Sequence, residues 1–300
     1  MKAIQWTVFV DMLGFSELNS NVATDEQARD LIGFMASNVS EMLKYENDVR
    51  VTYQSSKQFN LYDWYDVKVA FISDSIVMTF KPKDVVGERD AKKVLMHSAN
   101  ALMLLTMRLV ALMQKCLSEK GIIFRGGIST KYCDISERFA VGSGLSAAHE
   151  AESRKAVYPR LVLADDVLLN VQLIRKVKWL FKRMYGDYSF LVSEKDVVYI
   201  NVMSLLLVSS DPRSPNAAWQ LNRPIVRDSL IAAGEKLELF LSLQRTLVSD
   251  SVGKFYIRYR REFSDPVRRR INRNILKKYF WLRRYHNNTI ALTRYKGFSI

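Results

Sequence analysis

Apolar and polar side chains alternate at the start of the chain, where Ile4, Trp6, Val8 and Val10 are interleaved with Gln5, Thr7, Phe9 and Asp11. A period of two marks a half-buried strand, so residues 4–11 are expected to form a strand that delivers Asp11 to its end. After a loop, Thr24 and Gln27 have the spacing of a capping box. Ala28, Leu31, Ile32, Met35, Val39, Met42 and Leu43 then recur at helical spacing up to residues 45–48. Residues 49–53 read as a short strand and 54–66 show no clear period. Val67 to Phe80 reads as a hairpin whose turn is Ser73-Asp74-Ser75, small polar residues suited to tight geometry.

The longest helical pattern runs from Asp90 to Lys120 and stops at Gly121, where a left-handed residue is favoured. Residues 122–130 form the next predicted strand, with Arg125-Gly126-Gly127-Ile128 inside it. A turn over 134–137, a strand over 138–141 and Gly142-Ser143-Gly144 opening a helix over 145–152 follow. Strands over 160–167 and 188–202 flank a helix over 168–184. This order predicts an α+β fold, a ferredoxin-like βαββαβ sheet with helices on one face. Residues 1–205 are expected to form that domain and 206–300 a basic helical extension packed on it.

Composition narrows the class. A chain of 300 residues, 48% hydrophobic and 25% charged, has the make-up of a globular protein with a sizeable core rather than a disordered one. The apolar run from Ala99 to Met113 carries Asn100 and Arg108 and is shorter than the roughly 20 residues of a bilayer span, so it reads as a buried helix. Its Met and Leu residues are core. The first ten residues lack the layout of a signal peptide, and a cytoplasmic protein with no membrane partner is expected. Cys116 and Cys133 are too few for a zinc site or a disulfide framework. His149 and His286, without partners at ligand spacing, read as packing or hydrogen-bonding residues.

The net charge of +14 is concentrated near the C-terminus, where Ser251 to Ile300 hold fourteen Lys or Arg against two acids. With Tyr256, Tyr259, Tyr279, Phe280, Trp281 and Tyr285 interleaved, such a stripe could stack on single strands. Helical spacing favours the other reading, in which the aromatics pack inward and the arginines are solvated, paired or set against a polyphosphate. Nucleic acid is not the expected partner.

The candidate chemistry lies in two aspartates on apolar strands: Asp11 in Val8-Phe9-Val10-Asp11-Met12-Leu13-Gly14-Phe15-Ser16, and Asp74 in Val69-Ala70-Phe71-Ile72-Ser73-Asp74-Ser75-Ile76-Val77-Met78. A desolvated, unpaired carboxylate is costly, so something positive is expected against each. Magnesium or manganese suits, because such ions take oxygen ligands from one or two carboxylates plus substrate phosphates. Aspartates also serve in turns, but Gly14 and Ser16 directly after Asp11 favour the cation reading. The glycine-flanked helix start at residues 142–144 would offer N–H groups to phosphate.

Over roughly residues 4–202 these motifs, with Phe124-Arg125-Gly126-Gly127-Ile128 and Gly142-Ser143-Gly144-Leu145-Ser146-Ala147-Ala148, resemble the class III nucleotide cyclase catalytic domain. The resemblance implies two divalent cations, Mn2+ or Mg2+, held by Asp11 and Asp74 with the Met12 carbonyl as a further ligand. It also implies a triphosphate wrapped by the backbone of Gly14, Phe15 and Ser16. A ribose 3′-hydroxyl would attack the α-phosphorus in line and expel pyrophosphate. Active sites would lie between two copies, hence a homodimer.

Departures from the family pattern carry further implications. Ala70 and Phe139 stand where purine cyclases place base-selecting polar residues, and neither side chain can hydrogen-bond a purine edge. Ser146 and Glu150 stand at the positions of the transition-state Asn and Arg, so Arg125, Lys131 or a C-terminal arginine would have to supply the missing cation. With Ser73-Asp74-Ser75, the run from Gly144 to Glu152 and the segment Lys278 to Asn287, the chain resembles the pyrimidine cyclases of bacterial anti-phage Pycsar systems. This implies conversion of UTP to 3′,5′-cyclic UMP and pyrophosphate, or of CTP to cyclic CMP, with the product acting on a separate effector protein. Tyr53 and Lys68 are candidate base contacts and Arg125 a catalytic candidate. The readings of another class are a catalytically inactive nucleotide-binding protein and a nucleic-acid-binding protein with paired carboxylates like a polymerase palm.

Overall fold

The first strand, β1, runs Trp6–Leu13 in the computed structural model, which describes residues 2–38, 40, 63–84, 90–136, 139–211, 224–262 and 264–300. It passes two residues beyond the expected end because Met12 and Leu13 pair with Phe124 and Ile123. Asp11 is therefore inside the strand, with Ser75 opposite it on one side and Arg125 on the other. Gly14 then takes a left-handed φ of 97° and opens a short helix, α1, Phe15–Ser20, where a loop was expected. Helix α2 covers residues 25–38. One half of its capping box forms, the Gln27 N–H donating to Thr24 Oγ1 (3.3 Å), while Gln27 Oε1 accepts from the N–H of Ala23 (2.8 Å), one residue before the cap. The strand expected at residues 49–53 lies outside the described residues.

Strands β2, Tyr65–Ile72, and β3, Ser75–Pro82, form the expected hairpin, turning at Ser73 and Asp74 with Ser73 at φ 59°. Helix α3, Ala91–Lys120, starts where the Asp90 carboxylate accepts from the Lys92 N–H (2.8 Å) and ends at Gly121 with φ 65°. It leads into β4, Ile123–Ser129. These strands lie in the order β2-β3-β1-β4, each antiparallel to its neighbour, which is the expected βαββαβ unit. Even-numbered residues of β1 face the helices of the two crossovers. The Trp6 indole N–H donates to the Ser98 carbonyl on α3 (2.8 Å), and Phe34 of α2 joins the same buried cluster. Helix α3 is long and apolar enough by composition to cross a membrane, but 61% of that window is buried inside the protein. Arg108 is buried there, its guanidinium over the Phe80 ring.

The second half differs more from expectation. The predicted turn at 134–137 contains a strand, β5, Asp134–Ile135, paired with β6, Ala140–Val141, as a separate two-stranded ribbon. Helix α4, Ser143–Lys155, crosses the sheet face opposite α3, so helices cover both faces. The strand expected over 160–167 is only β7, Leu161–Leu163. Asp165–Leu169 is a helix, α5, separated from α6, Val171–Tyr185, by Asn170. In place of one strand over 188–202 there is a hairpin of β8, Leu191–Glu194, and β9, Val197–Ile200. Among the described residues the sheet thus grows to seven strands, β2-β3-β1-β4-β7-β9-β8.

After α7, Val202–Ser209, the chain ends in a pair of long helices, α8, Pro224–Arg261, and α9, Pro266–Ile290. Asp265 caps α9 by accepting from the Val267 and Arg268 N–H groups (3.0 Å each). Leu237, Phe240, Leu241, Trp281 and Leu282 belong to the same apolar cluster as the sheet, so the extension shares its core. Trp281 and Tyr285 point inward. Tyr256 and Phe280 stay about half exposed, so the basic segment follows the inward-packing reading only in part.

Candidate functional site

Asp11 and Asp74 are brought together by the hairpin lying against β1. The Met12 N–H donates to the Asp74 carbonyl (3.1 Å), so the turn that carries Asp74 is tied to the residue after Asp11. Gly14, with φ 97° and open space where a side chain would be, begins α1 immediately beyond. Phe15 anchors that helix in the core while Ser16 is exposed. The first N–H groups of a helix lack intrahelical acceptors, so the backbone at Phe15 and Ser16 faces the same end of the sheet with donors to offer.

Odd-numbered residues of β1 face α4, and Asp11 meets a cluster of charges there. Arg125, its register partner on β4, donates Nε–H to Asp11 Oδ2 (2.7 Å). The same Nε lies 2.7 Å from Glu152 Oε1 on α4. That nitrogen has one hydrogen, which points at Asp11, so Glu152 Oε1 is in contact with the cation yet buried with no hydrogen-bond partner. Burial pushes the Glu152 carboxyl up from its ordinary range, opposed by the Arg125 charge and reinforced by Asp11. Lys278, on α9, faces the cluster. Burial and the Arg125 charge draw its ammonium down, while Asp11 and Glu152 oppose them. Beyond Gly14, Lys254 of α8 pairs with Glu17 of α1 (2.7 Å) and holds that carboxyl below its usual range.

Lys68 is not part of this constellation. It lies level with Thr79 and Thr7, four residues along the sheet from Asp11, which is about 13 Å at the rise of a strand. There Lys68 (3.0 Å) and Lys81 (3.2 Å) flank Asp134 on the ribbon, and their hydrogen bonds keep that carboxyl below its usual range. Tyr53 lies outside the described residues. Ala70 packs in a small second core with Val77, Cys133 and Ile135, whereas Phe139 is 69% exposed. Glu150 pairs with Arg154 at the surface (2.7 Å). Lys131 gives its carbonyl to the Thr7 hydroxyl (3.0 Å). His149 packs edge-on against Phe9, and the buried His286 is within hydrogen-bond distance of Gln244 Oε1 (2.7 Å) and the Phe298 carbonyl (3.0 Å).

Glu152 was not singled out from sequence, although it carries a signal: it falls on the stripe of small residues Gly144, Ala148 and Ala151 that α4 buries. A carboxylate on such a stripe calls for a buried cation. Lys278 has no comparable signal among its basic neighbours.

The donors at Asp11, Asp74 and the Met12 carbonyl are all oxygens and fit a hard divalent cation. No group of three or more His, Cys, Asp or Glu arranged to hold a metal is found among the described residues, so such a cation would draw further ligands from phosphate and water.

No model of a known protein family matches the sequence, and no curated protein matches it. Among solved structures, the chain is similar to the adenylyl cyclase CyaB from P. aeruginosa at 13% identity and TM-score 0.33, over 66% of this chain and 93% of that one. It is likewise similar to the guanylyl cyclase Cya2, at 11% identity and TM-score 0.32, over 67% and 93%. A third is the guanylyl cyclase domain of the RhoGC fusion protein from the aquatic fungus Blastocladiella emersonii, at 11% identity and TM-score 0.33, over 67% and 96%. Likeness this distant leaves the functional reading to rest on the chain's own residues.

Proposed function

We propose that the chain is a metal-dependent pyrimidine nucleotide cyclase, converting UTP, or alternatively CTP, to its 3′,5′-cyclic monophosphate and pyrophosphate. The observation that carries the reading is the backbone tie between the turn that carries Asp74 and the strand that carries Asp11, the Met12 N–H bonded to the Asp74 carbonyl, just before the start of α1. Two oxygen-bearing side chains and a helix start with free N–H groups are what a nucleoside triphosphate with hard cations calls for. Asp11, Asp74 and the Met12 carbonyl would hold Mg2+ or Mn2+, which when bound supplies charge to the triphosphate and acidity to the attacking hydroxyl.

The protein's part is positioning. The backbone of Gly14, Phe15 and Ser16 orients the phosphate chain, and Arg125 and Lys278 place positive charge at the same end of the sheet. Pyrimidine preference rests on Ala70 and Phe139, which offer no side-chain hydrogen bond to a purine edge. Lys68, about 13 Å along the sheet from the level of Asp11, would reach a base only in the site of a second copy, consistent with a homodimer. By the resemblance to the Pycsar cyclases, the product would serve as a messenger to a separate effector in anti-phage defence.

A second reading, a domain that binds nucleotide without turnover, is favoured by the Arg125–Asp11 ion pair and by Glu150 turning to Arg154. One assay separates the two. Purified protein is incubated with Mn2+ and each of ATP, GTP, CTP and UTP, and pyrophosphate and cyclic product are measured. Turnover of a pyrimidine nucleotide, reduced to background in Asp11→Ala and Asp74→Ala, is expected. Pyrophosphate from none of the four refutes catalysis.

A further inference from the structure

The Arg125 guanidinium stands between two carboxylates and satisfies one of them. Its Nε is 2.7 Å from Asp11 Oδ2 and 2.7 Å from Glu152 Oε1, and its single hydrogen goes to Asp11. Glu152 is 3% exposed, and its Oε1 has no hydrogen-bond partner, a state a buried acceptor does not tolerate without cost. Nor can its backbone retreat, because its helix is pressed against β4 at Gly127, where an added Cβ would lie 2.8 Å from the Glu152 nitrogen. The acceptor is thus buried, empty and already at hydrogen-bond distance from a donor that is aimed elsewhere.

We propose that Glu152 is a positioning residue that takes the Arg125 guanidinium from Asp11, so that Asp11 is released to a divalent cation. The proposal rests on the cation reading of Asp11 given above. A guanidinium and a divalent cation repel each other at one carboxylate, so a cation arriving at Asp11 weakens its hold on Arg125. Re-aiming the Nε–H toward Glu152 turns the guanidinium toward an acceptor that Nε already lies 2.7 Å from, while Nε draws away from Asp11. It replaces the hydrogen bond lost at Asp11 with one to an acceptor that had none.

The test is Mn2+ binding without nucleotide, followed by the electron paramagnetic resonance signal of the free ion. Wild type, Glu152→Gln, Arg125→Met, the double variant and Asp11→Ala are compared, with thermal melts to confirm folding. Glu152→Gln is expected to raise the Mn2+ Kd by about tenfold, the scale of losing a residue that orients a ligand. In the Arg125→Met background the same change is expected to have little effect, because no guanidinium is left to hand over. An unchanged Kd in Glu152→Gln, or an equal loss in both backgrounds, overturns the proposal, the latter showing a plain charge effect.

Mn2+ binding that Asp11→Ala leaves intact overturns the cation reading itself and this proposal with it. Binding that depends on Asp11 but not on Glu152 removes the proposal alone. A Mg2+-bound structure of the wild type needs no variant. Arg125 Nε is expected beyond about 3.5 Å from Asp11 and hydrogen-bonded to Glu152. Mg2+ on Asp11 with the Arg125–Asp11 bond intact overturns the handover.

Discussion

At Gly127 the absence of a side chain decides how close α4 comes to the sheet. A Cβ there would lie 2.0 Å from the Ala148 carbonyl oxygen and 2.8 Å from the Glu152 nitrogen, both backbone atoms that cannot swing aside. That close approach sets Glu152 against Arg125. Gly127→Ala is therefore expected to lower stability in urea by about 3 kcal/mol, the upper range of overpacking. Gly33, mid-helix in α2 with nothing within 4 Å of a Cβ, serves as the control. Gly33→Ala should gain about 0.5–1 kcal/mol from helix propensity. A loss at Gly33, or none at Gly127, contradicts this account. Both aspartates stand out in the sequence, Asp11 because a carboxylate within an apolar strand breaks its pattern and Asp74 because it turns the chain between two apolar strands. Glu152 was not, since helices commonly carry glutamate and only the packing of α4 shows which face is buried.

Among the elements, α9 is bound to the sheet by an aromatic clamp. The Arg160 side chain is 6% exposed, its guanidinium 5.3, 5.1 and 5.7 Å from the ring centres of Tyr158, Tyr199 and Trp281. Arg160 also pairs with Glu194 (2.8 Å), which accepts from the Trp281 indole (3.2 Å). The guanidinium and the indole share the Glu194 carboxylate and the guanidinium lies over the rings, so removing the indole affects the whole group. Trp281→Ala should cost about 3–5 kcal/mol in urea and speed proteolysis near residues 262–265, where α8 and α9 meet. The half-exposed Phe280, changed to Ala, should stay within about 0.5 kcal/mol of wild type. Equal effects at the two positions would remove the clamp as the reason α9 is held. Helical period predicted that some aromatics of this segment turn inward. Which ones do so depends on where Arg160, just before β7, and Tyr199, on β9, sit, both far away in sequence.

For the whole molecule the open question is what meets the ribbon of β5 and β6. Tyr132, Phe139 and Val141 are 54%, 69% and 63% exposed there, with Ile72 at the neighbouring hairpin. Exposed apolar groups gathered in one region often mark an interface, and the proposed active site calls for a second copy. Phe139→Asp is expected to shift the protein from dimer to monomer in sedimentation velocity and to lower turnover in parallel. A wild-type monomer with full activity would show that each chain holds a complete site.

From its sequence alone the chain determined the βαββαβ order, the hairpin turn at Asp74, the stop at Gly121 and the two aspartates. Each is written in local period or in a residue whose backbone needs are specific. Tertiary structure alone decided that β1 continues past Asp11, that β8 and β9 widen the sheet, and that Arg125, Glu152 and Lys278 gather around one carboxylate. Those outcomes depend on pairing and burial between segments remote in the chain, and no local pattern of hydrophobic and polar residues carries that information.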